Sequence, residues 1–269
     1  MKVFNFRKIG NTAFVFIQRQ LWLSLFFLCL SAYAYAYANA NANRDTLRVL
    51  FVGNSYIYYN NLIQMVSLLS DSMDTKLICT KSTLGGSHFG EHWNSLKGLK
   101  SKQLIENNKY DIVVIQDNSM WPIEHPDSLL WYGKKFCELI KTRAARPFLY
   151  NTWSRKKTPE TQGQINRAYD DLSKSCGAGI VPVGQLFQEV IKAKPQWELY
   201  HVDGSHPSAL GTFMAALAFV KSFTGKLPER IPFVFNYFDK DGETFRIMQV
   251  SPEEIAVGKM ILSQWQLPN

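Results

Sequence analysis

The chain has 269 residues, 46% hydrophobic and 19% charged, which is too apolar for a disordered polymer and long enough to bury a large core without disulfides. Its formal charge of +8 is uneven: of 30 lysines and arginines, Lys2, Arg7, Lys8 and Arg19 lie in the first 43 residues, which hold no acidic residue, leaving 26 against 22 acidic residues in the remainder. So small an excess excludes a polyanion-binding surface and predicts no nucleic-acid partner.

Those four early charges flank an apolar run, Leu21 to Ala32, followed by the stretch AYAYAYANANAN. A basic start, a short apolar run and repeated Ala-x-Ala sites predict a secretory signal peptide over residues 1–42, cleaved between Ala36 and Ala42. Residues 43–269 then form one domain exported to the periplasm or the exterior. A membrane anchor needs roughly 20 apolar residues. Tyr and Asn interrupt this run too soon, so no anchor persists after cleavage, and Leu28 is the wrong size to precede a lipid-modified Cys29. Cys79, Cys137 and Cys176 remain, an odd number at wide spacings. They form neither a zinc pattern nor a disulfide framework, so at most one bridge and mostly buried thiols are expected.

In chain order, Leu47 to Val52 is a short apolar run entering Gly53-Asn54-Ser55, a buried strand ending in a tight turn. Asn60 or Asn61 then caps a helix carrying Leu62, Met65, Val66, Leu69 and Met73 at helical spacing. Further strands are expected at Lys76 to Thr80, Asp111 to Gln116, Pro147 to Asn151 and Ile180 to Val183. Helices are expected at Ser128 to Thr142 and Glu160 to Ser175. Beyond them lie a helix from Pro207 to Phe223, an irregular aromatic excursion from Pro228 to Asp241 and a closing helix from Pro252 to Trp265. Strands alternating with helices predict an α/β domain built on one doubly wound parallel sheet of about five strands.

Functional loops of such a sheet gather at the carboxyl ends of its strands. That selects Asn54-Ser55, Gly85-Gly86-Ser87, Gln116 to Ser119, Asn151-Thr152-Trp153 and the late segment Asp203-Gly204-Ser205-His206. A serine at a strand-to-helix turn exposes its oxygen beside backbone N–H groups that favour negative charge. It still needs a base, for which His206 stands first, with Asp203 three residues earlier to orient the imidazole. His88 and His92 have the spacing of a metal pair, but Gly90 disfavours a helix between them and no third ligand is evident, so no metal and no cofactor are expected. His201 reads as a loop or substrate-side residue. Trp93, Trp121 and Trp153 follow three of the loops, where they would stack on a sugar or wall an acyl group as an alternative to packing in the core.

Taken in this order, the residues resemble the SGNH, or GDSL-like, hydrolase superfamily. Gly53-Asn54-Ser55 is similar to its first block, usually Gly-Asp-Ser, and Asp203-Gly-Ser-His206 to its last, Asp-x-x-His. The third block departs from the pattern: Gln116-Asp117-Asn118-Ser119 stands where Gly-x-Asn-Asp is usual. The resemblance implies a three-layer α/β/α, flavodoxin-like fold and ester hydrolysis through an acyl-serine, with Ser55 as nucleophile, His206 as base and Asp203 as its orienting carboxylate. It also implies an oxyanion hole made of the Ser55 N–H, a glycine N–H and a side-chain amide. Gly86 is favoured over Gly85 for the glycine and Asn118 over Gln116 for the amide.

The resulting expectation is a secreted serine esterase that removes a small acyl group, such as acetyl, from a small-molecule or glycan ester. The alternatives are a lipase or thioesterase for longer acyl chains and a catalytically silent glycan-binding module on the same scaffold.

Overall fold

Strands β1 (Asp45–Gly53), β2 (Thr75–Thr83), β3 (Ile112–Ile115), β4 (Arg146–Asn151) and β5 (Gly179–Pro182) pair into one parallel sheet in the order β2-β1-β3-β4-β5. The computed structural model describes residues 22, 26–31 and 45–265. All five predicted strands are present, with β2 running three residues beyond its expected end. Val52 pairs with Ile115, and Ile115 with Leu149, so the strand ends carrying the polar loops lie side by side.

The central strands are buried on both sides, which is why they read as unbroken apolar runs. Side chains alternate between the faces. Val49, Phe51, Ile112 and Val114 pack into one core with α2 (Leu62–Ser70), α8 (Val183–Ala193), α9 (Ala209–Thr224) and α10 (Pro252–Ser263). Leu50, Val52, Val113 and Ile115 face the other core, with α3 (Phe89–Trp93), α4 (Ser101–Asn107), α6 (Pro126–Thr142) and α7 (Gln162–Cys176). Helices α1 (Ser55–Tyr58) and α5 (Trp121–Glu124) are single turns directly after the loops that follow β1 and β3.

Several expectations need correction. A single-turn helix at Ser55 precedes the expected one, because the Asn54 side chain caps it by accepting from the Tyr56 N–H; Asn61 does stand at the N-cap position of α2, but with a left-handed backbone angle and no side-chain cap bond. The segment expected to be irregular from Pro228 to Asp241 enters an antiparallel hairpin, β6 (Val234–Phe238) with β7 (Thr244–Gln249). Phe235 and Met248 are the buried residues of these two strands, too few to write an alternating pattern. Helix α9 starts at Ala209 behind a Ser208 cap, and Pro207 bridges to Tyr200 before it. Gly90 lies inside α3 and does not prevent it from forming.

Cys79, Cys137 and Cys176 are free thiols. The chain divides into two units, Met1–Asp45 and Thr46–Asn269. Within the first, residues 26–31 are helical, while the expected cleavage site and most of the predicted signal peptide over residues 1–42 lie outside the described residues. Among the described residues no helix is long and apolar enough to cross a membrane.

Candidate active site

The turn after β1 is set by a close approach. A side-chain carbon at Gly53 would lie 2.5 Å from Gln116 Oε1 and 2.8 Å from the Gln116 carbonyl, so only glycine fits there. Gln116 fills that space, and its Oε1 accepts the Asn54 N–H at 3.1 Å. The Asn54 amide donates to the carbonyls of Ser87 and Asp117, both at 3.2 Å. Three strand ends are thereby tied around Ser55.

The loop that closes on Ser55 folds equally tightly. His201 N–H donates to the His206 carbonyl at 2.8 Å, and Gly204 turns the chain at φ +68, a left-handed angle costly for any residue with a side chain. Asp203 Oδ1 accepts the N–H groups of Ser205 (2.8 Å) and His206 (2.9 Å), while Oδ2 lies 2.6 Å from His206 Nδ1. Burial pushes the Asp203 carboxyl upward, but those two N–H groups and the His206 ring outweigh it and hold the carboxyl well below the usual carboxylate range. An ionised carboxylate there can only accept, so His206 carries its proton on Nδ1 and presents Nε2 as an acceptor. That nitrogen lies 2.8 Å from Ser55 Oγ. Ser55, His206 and Asp203 thus form one hydrogen-bonded chain.

The aromatic residues around this chain hold it in place. Tyr59 stacks on the His206 ring with centroids 4.4 Å apart. Tyr56, Trp153 and Phe187 form a continuous stack at 4.8 and 4.2 Å. Both Tyr56 and Trp153 bond to Ser205: the tyrosine hydroxyl to its Oγ at 2.8 Å, the indole N–H to its carbonyl at 2.9 Å. Trp153 is 1% exposed, so its expected role as a substrate wall is corrected to that of a buried brace. Trp93 packs edge-on against Phe136 beneath Lys102 and Lys135, and Trp121 stacks on His88 and meets the tilted ring of His125. Among the described residues no tryptophan lines the cleft above Ser55.

That cleft has a volume of about 190 Å³ and is lined by Ser55, Gly86, Asn118, Arg155, Ser205 and His206 among others. Gly86 lines it and Gly85 does not; Asn118 lines it and Gln116, wholly buried in its clamp on Gly53, does not. One N–H of the Asn118 amide donates to the Gly86 carbonyl at 2.8 Å, and Oδ1 accepts from Met120 N–H at 3.0 Å. The second amide N–H and the N–H groups of Ser55 and Gly86 have no protein partner among the described residues, which leaves three free donors on residues that line the cleft.

Below these donors sits Asp117, whose Oδ1 accepts the N–H groups of Phe89 and Asn118, both at 2.8 Å, while Oδ2 has no hydrogen-bond partner. Burial raises its carboxyl to about 7 against those two hydrogen bonds. His92 is also buried, and burial lowers its ring to about 4. Its Nε2 faces the Gly53 carbonyl at 3.1 Å and Ser87 Oγ at 2.8 Å, and its Nδ1 lies 2.5 Å from Ser101 Oγ. His92 is a structural tie between β1 and α4 rather than half of a metal pair. His201 is exposed on the histidine loop, its Nδ1 3.6 Å from Asp203 Oδ2.

Tyr59 and Arg155 are site residues that sequence reading passed over, and Asp117 stood in a selected loop but received no role. Asp117 had a signal, a carboxyl placed at the end of a run that has to be buried; Tyr59 and Arg155 stand in no motif.

No protein-family model and no curated protein matches the chain. Solved structures do. A protein assigned to the SGNH hydrolases, from Slackia heliotrinireducens, is 25% identical and superposes with a TM-score of 0.57 over 66% of this chain and 98% of its own. A DUF4886 family protein from Bacteroides uniformis matches 81% of this chain and 93% of its own at a TM-score of 0.65 and 16% identity. An acetyl xylan esterase matches 66% of this chain and 100% of its own at 0.52 and 16%. With its five-stranded parallel sheet between two helical layers, the chain has the SGNH/GDSL-like hydrolase fold.

Proposed function

We propose that this protein is an exported serine ester hydrolase that removes a small acyl group from a carbohydrate or other glycan ester. The observation that carries the proposal is the continuous hydrogen-bonded chain from Asp203 through His206 to Ser55, opening into a cleft with three unpartnered N–H donors. Ser55 Oγ bonds to the acyl carbon while its proton passes to His206 Nε2, and the carbonyl electron pair moves onto oxygen, where the N–H groups of Ser55, Gly86 and Asn118 receive it. Collapse breaks the carbon–oxygen bond to the alcohol, which leaves with the proton from Nε2. Water, giving a proton to the same nitrogen, then attacks the acyl-serine; the acid departs and Ser55 regains its proton.

Cleft size favours a small acyl group. Pockets for drug-sized ligands span roughly 300–1,000 Å³, and a cleft of about 190 Å³ is the size for a small acyl group. An acetyl xylan esterase among the similar folds supports the same substrate class. Export rests on the basic start and apolar run of residues 1–42.

The test is a series of p-nitrophenyl esters of increasing acyl length. We expect kcat/KM to be highest for acetate and to fall steeply as the chain lengthens. A maximum at a long acyl chain makes the protein a lipase or thioesterase, and hydrolysis of none of them leaves the binding-module alternative.

A further inference from the structure

We infer that Arg155 selects esters whose alcohol half carries a carboxylate, as in an acidic sugar; the inference rests on the hydrolase reading and deepens it. Arg155 follows three buried residues, Thr152, Trp153 and Ser154. Ser154 is held on both sides, its N–H by Gln162 Oε1 at 2.7 Å and its carbonyl by the Tyr200 hydroxyl at 3.1 Å. Arg155 is therefore carried on a rigid point and lines the same cleft as Ser55 and His206.

Its charge is uncompensated. Among the described residues no carboxylate lies within ion-pair distance of Arg155, and none lines the cleft. The acidic side chains close by are already engaged: Asp203 accepts from His206 and two backbone N–H groups, and Glu198 pairs with Lys156 and accepts the Tyr200 N–H at 3.0 Å. A planar fork of free N–H donors beside a reacting centre matches a carboxylate, which it binds through two parallel charge-assisted hydrogen bonds.

Position decides which half of the ester bears that carboxylate. The next residue, Lys156, donates its N–H to the Gly204 carbonyl at 2.9 Å, which fixes the arginine's loop to the Asp203–His206 loop. His206 protonates the departing alcohol, whereas the oxyanion donors Gly86 and Asn118 belong to the loops after β2 and β3. Arg155 accordingly flanks the leaving group. Because the arginine is exposed to solvent, the preference should be moderate and sensitive to salt.

Two matched substrates test this, para-acetoxybenzoate and its neutral methyl ester, each rate divided by that of hydroxide-catalysed hydrolysis to remove leaving-group differences. The wild-type enzyme should prefer the anionic ester by about tenfold in kcat/KM, the scale of one solvent-exposed charge-assisted contact. Arg155→Ala and Arg155→Gln should each bring the ratio close to unity, Arg155→Lys should keep part of it, and high salt should compress it. An equal ratio in wild type and Arg155→Ala overturns the inference. So does a preference that appears only with the monosuccinate ester of p-nitrophenol, whose charge lies on the acyl half. Hydrolysis without charge preference leaves the esterase reading standing and removes this one; failure to hydrolyse any ester removes both.

Discussion

Trp153 Nε1 donates a 2.9 Å hydrogen bond to the carbonyl of Ser205, the residue beside His206. The indole is buried in a stack between Tyr56 and Phe187, so it acts on the histidine loop from beneath and has no face left for substrate. Trp153→Phe keeps an aromatic ring and deletes the donor. It should destabilise the fold by about 1–2 kcal/mol, the range for a lost buried hydrogen bond with one carbonyl left unpaired, and lower kcat several-fold with KM nearly unchanged. Urea midpoints and steady-state kinetics read both quantities; a rise in KM alone would return Trp153 to the substrate wall.

This tryptophan also marks where sequence reading stops. A Trp after a strand end identifies the loop, but its ring turns inward here because Phe187 and Tyr56 offer two apolar faces, and neither neighbour is close to it in sequence. The central strands were legible because burial on both faces leaves uninterrupted apolar runs such as Ile112–Ile115, whereas edge strand β2 is largely exposed. The hairpin β6–β7 was not, since most of its side chains face solvent. Short helices α1, α3 and α5 are held by caps and packing that periodicity does not encode. In the site, Ser55, Asp203 and His206 were legible from their order and their places at element ends. Asn118 and Gln116, two amides off one strand, were separable only once Gln116 was seen clamped against Gly53.

That difference between the two amides gives a prediction. Asn118→Ala removes a donor aimed at the cleft and should lower kcat by roughly 10²–10³ with little change in KM. Gln116→Ala leaves the cleft donors in place and should instead lower the melting temperature, by unpairing the Asn54 N–H and opening a void beside Gly53. The reverse ranking in kcat would move the oxyanion amide to Gln116.

Asp117 predicts a pH dependence of stability. Its carboxyl is raised by burial to about 7 in the folded chain, above the ordinary 3.8, so the folded state holds the proton more tightly. Its contribution is complete below pH 3.8 and is lost as pH rises through 7. Asp117→Asn keeps an oxygen for the N–H groups of Phe89 and Asn118 but cannot ionise. The melting temperature of the variant minus that of wild type should therefore climb from acid toward neutral pH and level off above the folded pKa. A difference that stays flat over this range would contradict a proton held on Asp117.

Ser55 and His206 should behave as one unit. A serine hydroxyl is a weak nucleophile until an imidazole takes its proton, so Ser55→Ala and His206→Ala should each remove nearly all activity on p-nitrophenyl acetate, and the double variant should be hardly worse than either. Asp203→Ala should be damaging but milder, because the carboxylate orients the ring without transferring the proton. Independent, multiplicative losses would mean that the two residues do not share a step.

The most direct measurement is covalent capture of the nucleophile. Wild-type protein incubated with a fluorophosphonate and mapped by peptide mass spectrometry should carry one adduct, on Ser55, formed at a rate that falls sharply in His206→Ala. An unlabelled Ser55 in folded protein, or labelling that proceeds equally fast without His206, would contradict an acyl-serine mechanism at this site.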